Sequence, residues 1–280
     1  MFNRIYIFHN RVKKSIAVKN QVMALLRREG FILTKVNPDI IVVIGGDGTM
    51  LSAIRTMEEK NLPFLGVNTG SLGFLPGLLP DEIHLLPELL RREEQVMDVF
   101  PLLEVVSTTI SGKKFTNYVF NEAVIKHYHP KMLEALVYID GKPFNYFTGD
   151  GLIFSTPVGT TGYAIWAGGS AIHWDQPCYQ ITPLQPNDNR INRPLKNSMI
   201  IPADSKITLK VVKAKFRSAS VACDGLMVSK EYIEELSITT SNKKVRIMRA
   251  REQSYFELYR NKIIDKQVSR YLEVTDEELG

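Results

Sequence analysis

The sequence has 280 residues, of which 44% are hydrophobic and 23% are charged, and its formal net charge is +5. This composition excludes a mostly disordered chain, and no apolar run approaches the roughly 18 residues that a membrane-spanning helix needs. The cysteines, Cys178 and Cys223, are too few and too far apart for a disulfide framework, which indicates a reducing compartment. We therefore expect a cytoplasmic protein that does not bind a membrane.

Residues 1–100 alternate between short apolar runs and amphipathic segments, which is typical of an open, Rossmann-like α/β domain. Residues 40–44 are continuously apolar, as expected of a strand buried on both faces of a parallel sheet. Pro87 lies inside a helical pattern and predicts that this helix is divided into two pieces. The strands predicted here are 4–8, 40–44 and 63–67, and the helices are 13–29, 49–60 and 81–92.

From about residue 101 the sequence is richer in β-branched and aromatic residues, with turn residues between the runs. We predict a β-rich domain of two packed sheets over residues 101–251, and we expect residues 252–275 to pack back on the α/β domain. The strands predicted in this half are 102–110, 118–125, 135–139, 207–212, 218–223 and 245–250.

Two clusters of positive charge, at residues 213–217 and 243–251, interleave with apolar residues. We interpret both as the outward faces of strands and predict no nucleic-acid partner. A mild excess of Lys and Arg also suits an anionic small-molecule ligand.

A glycine-rich turn follows the second predicted strand in the stretch DIIVVIGGDGTML, residues 39–51. A strand, a glycine turn and a helix place unpaired backbone N–H groups where an anion is favoured. The simpler alternative is a tight Asp47-Gly48 turn with Thr49 as the helix N-cap. The stretch lacks both the lysine of a P-loop and the third glycine of the dinucleotide fingerprint, so neither template explains Asp47.

A second dense stretch, GDGLIFSTPVGTTGYAIWAGG, covers residues 149–169. Its glycines allow close approach of a ligand, and its Ser, Thr and Tyr hydroxyls suit recognition of a sugar or a base edge.

Taken together, these stretches resemble the motifs of NAD kinases, in the same order. The matching segments are GGDGT at 45–49, NTGSLGFL at 68–75, NE at 121–122, GDGLIFSTPVGTTGY at 149–163, AGG at 167–169 with His173, and NRPL at 192–195. GGDGT alone is less specific, because diacylglycerol kinases, sphingosine kinases and 6-phosphofructokinases carry similar turns.

The resemblance implies transfer of the γ-phosphoryl group of ATP to the 2′-hydroxyl of the adenosine ribose of NAD, which yields NADP. It makes Asp47 the general base, and a positioned carboxylate contributes roughly 10²–10⁴-fold to such a step. It places Gly45, Gly46, Gly48 and Thr49 at the phosphates. Mg²⁺ or another divalent cation is expected to arrive with ATP, with no metal fixed by protein side chains and no tightly bound cofactor.

The resemblance also implies an NAD-binding set with the Asn121-Glu122 pair as a clamp for the adenosine part. Because neighbouring strand residues face opposite sides, both can reach one ligand only if the strand bends or ends there. Asp150 is expected to meet the ligand across a subunit boundary, which implies a homodimer or homotetramer. The whole predicted set is Asp47, Gly48, Asn121, Glu122, Thr148, Asp150, Val158, Thr161, Gly162, Tyr163, Trp166, Gln185 and Asp224.

The sequence departs from the family pattern, which usually reads TP[TS]G[ST]TAYxxSxGG. Val158 removes a hydroxyl and Trp166 replaces a serine with an indole where the nicotinamide is expected. That indole could stack on the ligand, narrow the pocket or enter a subunit contact. The other departures are Gly162, Thr148 and Leu226.

Two alternatives remain: a non-catalytic NAD(P)-binding sensor, and a lipid kinase with the related glycine turn. The phosphoryl donor, ATP or polyphosphate, is also open. His127 and His129 have no third ligand nearby in the sequence, so we interpret them as a surface strand end rather than a metal site.

Overall fold

The computed structural model describes residues 2–57, 60–70, 73–75, 77–188, 192–216, 218–250 and 254–264. The chain divides into two compact units. The first contains residues 1–50, 65–97 and 247–280, and the second contains residues 51–64 and 98–246.

The first unit is an α/β layer built on parallel strands. Its order is β2-β1-β3-β4, with β5 beside β4, and β1 pairs in parallel with both β2 and β3. The strands β1 to β5 are Arg4–His9, Ile32–Leu33, Ile40–Gly45, Phe64–Asn68 and Gly77–Leu78. The helices α1 and α3 are Lys13–Arg28 and Leu86–Arg91, with a 3₁₀ helix at Pro80–Leu85. The helix α2, Asp47–Met57, begins in the first unit, and its residues from Leu51 onward belong to the second.

The predictions for this half are largely confirmed. All six residues of β3 are buried, as the continuous apolar run required. The predicted helix around Pro87 is two pieces, a 3₁₀ helix followed by α3. The prediction for α2 was wrong at its start, because the helix begins at Asp47 and not at Thr49.

The second unit consists of two antiparallel sheets that share one core. One sheet has the order β13-β12-β11-β8-β15-β16, and the other contains β10-β9-β14-β17 together with the pair β6 and β7. The strands β6 to β11 are Met97–Thr109, Lys114–Val119, Glu122–His127, Leu133–Ile139, Lys142–Gly149 and Gly151–Ser155. The strands β12 to β17 are Cys178–Leu184, Met199–Pro202, Ile207–Val211, Ala219–Cys223, Leu226–Met227 and Ile233–Met248.

Short helices complete both units. The second unit has a 3₁₀ helix at Val158–Thr161 and the single-turn helix α4 at Tyr163–Trp166. In the first unit, α5 spans Tyr255–Tyr259 and continues into one π-helical turn, Arg260–Ile264. The Tyr255 ring packs edge-on against Phe74, with 5.8 Å between the ring centres. The rest of the predicted 252–275 segment lies outside the described residues.

The two basic clusters have different structures. Residues 243–248 lie in β17, and over residues 243–247 more exposed side chains alternate with less exposed or buried ones, as predicted. Residues 212–216 form a turn and not a strand, with Lys213 in the left-handed region at φ +51°.

The shared core of the second unit predicts the cost of truncating one of its rings. Phe154 is 0% exposed, so Phe154→Ala should lower the free energy of unfolding by about 3–5 kcal/mol through lost transfer energy and the cavity left behind. Phe216→Ala is the matched control, because that ring is 87% exposed and its loss should change stability by less than about 0.5 kcal/mol. Urea denaturation of both variants, followed by circular dichroism, measures the difference, and equal losses would contradict it.

Candidate active site

The glycine turn of the first unit holds Asp47 at the start of α2, directly after β3. Its carboxylate accepts the Phe74 N–H at 2.8 Å through Oδ2 and the Leu75 N–H at 3.3 Å through Oδ1. A carboxylate near a helix N-terminus is also favoured by the helix dipole. The turn and the NTGSLGFL segment are therefore joined by the side chain that was predicted to be the base.

Glycine is needed where these two segments meet. A Cβ atom at Gly73 would lie 2.0 Å from Asp47 Oδ1, whereas a Cβ at Gly46 or Gly48 would meet nothing within 4 Å. Gly73 thus permits the carboxylate to reach the Phe74 N–H group. Gly46 and Gly48 leave open space around the turn.

The side chains beside the turn are also fixed by hydrogen bonds. In the amide orientation that satisfies both groups, Asn68 donates to the Gly45 carbonyl at 3.3 Å and accepts the Gly73 N–H at 3.2 Å. Thr49 lies inside the helix, where its Oγ1 accepts a hydrogen bond from Asn10 Nδ2 at 2.8 Å. The alternative with Thr49 as an N-cap was therefore wrong, because α2 starts two residues earlier.

In the second unit, Asn121 and Glu122 lie at a corner between two strands. β7 ends at Val119 and β8 begins at Glu122, so the predicted break in the strand is confirmed. The Asp224 carboxylate accepts the N–H groups of Phe120, Asn121 and Glu122 at 2.8, 2.7 and 3.2 Å. Asp224 was predicted to contact the ligand, and the structure turns its carboxylate onto this backbone.

Glu122 is a half-buried acid beside this corner, and its Oε2 atom is fully buried. Its Oε2 atom has no hydrogen-bond partner among the described residues. Burial, and secondarily the charge of Asp224, raise the pKa of Glu122 to about 7, against the opposing effect of the Tyr163 N–H group. An unpartnered acceptor of this kind is costly to bury and is able to receive a hydrogen bond from a ligand hydroxyl.

The STPVG segment packs directly on the same corner. Thr156 Oγ1 donates to the Phe120 carbonyl at 2.6 Å, and the Thr156 N–H donates to the Asn121 carbonyl at 2.9 Å. A Cβ atom at Gly159 would lie 2.0 Å from that same Asn121 carbonyl oxygen. Sequence reasoning did not single out Thr156 or Gly159, although both lie within the quoted motif.

The loop hydroxyls were predicted to recognise a ligand, but Thr161 forms its hydrogen bond within the loop. Thr161 Oγ1 donates to the Val158 carbonyl at 3.0 Å, and the Val158 side chain is buried. Gly162 lies close to Glu122, where an added Cβ would be 3.0 Å from the Oε2 atom. The family's usual alanine at this position would therefore reduce the space beside Glu122.

The short helix α4 presents two aromatic side chains. Lys126 Nζ donates to the Tyr163 hydroxyl at 2.7 Å and lies 4.9 Å from the centre of that ring. Trp166 is 68% exposed, so the indole does not fill the interior of the second unit. Residues three apart on a helix are neighbours on its surface, which places Trp166 beside Tyr163.

Of the remaining predicted residues, Thr148 lies near the end of β10, Asp150 lies between β10 and β11, and Gln185 follows β12. Thr148 is buried, and its Oγ1 donates to the Asn187 carbonyl at 3.2 Å and accepts from Asn192 Nδ2 at 2.8 Å. Asp150 and Gln185 are both exposed. Thr148 thus holds Asn187 and Asn192, while Asp150 is open to solvent.

The two histidines of the KHYHPK segment, His127 and His129, lie close to each other. His127 Nδ1 lies 3.1 Å from both the N–H and the carbonyl of His129. Among the residues that the structure describes, no group of three or more His, Cys, Asp or Glu side chains could hold a metal ion.

Two family models match this chain. The model described as the ATP-NAD kinase N-terminal domain covers residues 7–94, and the one described as the ATP-NAD kinase C-terminal domain covers residues 120–250. The chain belongs to the NAD kinase family. Its members are phosphotransferases with an alcohol acceptor, so the predicted resemblance is confirmed.

Curated relatives named NAD kinase match over nearly the whole chain. The one from Streptococcus thermophilus is 32% identical over 265 residues, which is 93% of this chain and 94% of the relative. The one from Finegoldia magna is 35% identical over 248 residues, 86% of this chain and 90% of the relative. Matches of this extent favour the NAD kinase family over the lipid kinases that share a similar turn.

Solved structures share the fold. A yeast NADH kinase complexed with NADH superposes with a TM-score of 0.82 at 17% identity, covering 92% of this chain and 86% of that chain. An NAD kinase from Archaeoglobus fulgidus in complex with ATP has a TM-score of 0.72 at 23% identity, covering 92% of this chain and 96% of that chain.

None of the described helices combines the length and the hydropathy that a membrane span requires.

The raised pKa of Glu122 predicts a pH-dependent stability. Because the folded pKa of about 7 lies above the unfolded value of 4.5, the native state is favoured at low pH and loses up to about 3 kcal/mol as the pH rises from 4.5 through 7. Glu122→Gln removes this loss, so the melting temperature of the variant relative to wild type should rise between pH 5 and pH 8.

Glu231→Gln is the opposite control for this experiment. Glu231 is exposed and bonded to Lys113 and Ser111, which hold its pKa down at about 2. Its contribution to stability is present above pH 4.5 and is lost as the pH falls towards 2, so that variant should gain nothing at pH 8. A Glu122→Gln difference that stays constant with pH would contradict the prediction.

Proposed function

We propose that this protein transfers the γ-phosphoryl group of ATP to the 2′-hydroxyl of the adenosine ribose of NAD, with Asp47 as the general base. The observation that carries the proposal is the position of the Asp47 carboxylate. It lies at the start of α2, between glycines that add no side chain, and two backbone N–H groups hold it.

Each part of the site has a defined task in this reaction. A ribose hydroxyl is a weak nucleophile, so a carboxylate that accepts its proton as the bond to phosphorus forms contributes roughly 10²–10⁴-fold. The open backbone at Gly46 and Gly48 gives phosphates access to the N-terminus of α2, where the dipole favours negative charge. Most of the remaining acceleration comes from in-line positioning and charge neutralisation.

We place Mg²⁺ with the phosphates of ATP rather than in a protein cage. Mg²⁺ usually keeps several waters and takes one or two carboxylates together with substrate phosphates. When bound, it would neutralise charge on the transferred group.

The second unit supplies the proposed dinucleotide site. Asn121 and Glu122 are the proposed clamp for the adenosine part, since the free Oε2 of Glu122 can accept a ribose hydroxyl or an amino group. Tyr163 and Trp166 offer aromatic faces for the nicotinamide end. The exposed Asp150 is the residue that we expect to meet the ligand of a neighbouring copy, in a homodimer or homotetramer.

We also propose a cytoplasmic location, supported by the cysteines, both of which are free.

The alternative of a non-catalytic NAD(P)-binding sensor can be distinguished from the kinase by one measurement. Purified protein with Mg²⁺, ATP and millimolar NAD should form NADP, whereas a sensor would bind NADP without turnover. Replacing ATP by polyphosphate in the same assay tests the donor.

Asp47→Asn should reduce kcat by about 10²–10⁴-fold, because the amide cannot accept the proton of the ribose hydroxyl. NAD binding, measured by isothermal titration calorimetry, should stay within about threefold of wild type, since the amide oxygen can still accept the Phe74 N–H. An Asp47→Asn variant with the kcat of the wild type would show that Asp47 is not the general base.

Trp166→Ser tests the indole that replaces the family's serine. Stacking is worth about 0.5–1.5 kcal/mol, so the KM for NAD should rise by about 2- to 12-fold. Inhibition by ADP-ribose, which lacks the nicotinamide, should be unchanged, and so should the melting temperature because the indole is mostly exposed. An unchanged KM for NAD would place Trp166 outside the pocket.

A further inference from the structure

We infer that Asp224 is a positioning residue for the dinucleotide clamp, because its carboxylate fixes the backbone from which Asn121 and Glu122 project. The inference rests on the proposed role of that pair in binding NAD. It assigns Asp224 no contact with the ligand.

The contacts converge on one short segment. Three consecutive N–H groups, those of Phe120, Asn121 and Glu122, donate to the two carboxylate oxygens within 3.2 Å. In return, the Asp224 N–H donates to the Glu122 carbonyl at 3.0 Å. A strand corner leaves such groups without partners in the sheet, and a buried N–H group without a partner is costly.

The turn that carries Asp224 sets the direction of its carboxylate. Cys223 and Leu226 pair across the β15–β16 hairpin, which leaves Asp224 and Gly225 as a two-residue loop. Their φ angles of +44° and +79° match the type I′ turn that the sequence Asp-Gly favours. Arg55 also donates to the Asp224 carbonyl at 3.3 Å and holds this turn from a second element.

Asp224 also contributes to the electrostatics of the clamp. Two neighbouring groups affect the pKa of Glu122: the Asp224 carboxylate in the β15–β16 turn and the Tyr163 N–H group in α4. The charge of Arg55, in α2, opposes the rise in the pKa of Asp224 that burial causes. The negative charge of Asp224 adds to burial in raising the pKa of Glu122. Replacing Asp224 should therefore alter both the direction and the ionisation of the clamp.

Asp224→Asn separates positioning from a purely structural role. Its amide nitrogen cannot accept an N–H, so at least one of the three bonds is lost, and we expect the Kd and the KM for NAD to rise by about tenfold or more while kcat stays within about threefold. We also expect the NAD affinity to vary with pH through the ionisation of Glu122, with a midpoint that is lower in Asp224→Asn than in the wild type because the charge next to Glu122 has been removed.

Asp204→Asn is the matched control, since Asp204 is an exposed carboxylate in a turn of the same unit and should leave the affinity and its pH midpoint unchanged. An NAD affinity and a pH midpoint equal to wild type in folded Asp224→Asn would overturn the inference. So would a loss of kcat at an unchanged KM. If Asp224→Asn does not fold, Arg55→Gln carries the test, and an affinity within twofold of wild type in that folded variant would overturn it.

Calorimetry keeps this test separate from the proposed function. If the wild type binds NAD but forms no NADP, the kinase proposal fails, while a weaker Kd in Asp224→Asn still supports the positioning role. If the wild type turns over NAD normally and Asp224→Asn equals it, only the inference fails. A wild type that does not bind NAD would overturn both.

Discussion

A carboxylate that accepts consecutive backbone N–H groups is the interaction on which the candidate residues of each unit depend. Asp47 binds the N–H groups of Phe74 and Leu75 in the first unit, and Asp224 binds those of residues 120–122 in the second. Hydrogen bonds to a charged acceptor are stronger than those between neutral groups. Each carboxylate therefore stabilises an irregular segment that neither helix nor sheet pairing could satisfy.

The two carboxylates nevertheless differ in the group that is available to a ligand. Asp47 is partly exposed at a glycine turn with open space around it, so it remains accessible to a substrate. Asp224 is half-buried behind a corner, and the group presented there is the unpartnered Oε2 of Glu122. Proton transfer suits the first arrangement, whereas recognition of a hydroxyl or amino group suits the second.

The sequence predicted those features that local patterns control. The apolar run of β3, the division of the helix near Pro87 and the break at the Asn121-Glu122 pair are all visible in short windows. The start of α2 was predicted two residues too late, because a threonine that follows a glycine turn is typical of an N-cap. Thr49 instead accepts a hydrogen bond from Asn10, which is too far away in the sequence for a local pattern to reveal. The Asp224 carboxylate accepts hydrogen bonds from residues more than 100 positions earlier in the sequence, so no local pattern reveals them.

The absence of a side chain at Gly73 has an evolutionary consequence. Since a Cβ there would fall 2.0 Å from Asp47 Oδ1, the two positions cannot vary independently. A relative that acquires a larger residue at the first position must move or shorten the acid at the second, which is the residue that we propose as the base. The pair should therefore covary among related sequences, and on this proposal a side chain at the position of Gly73 would identify homologues that have kept the fold but lost the activity.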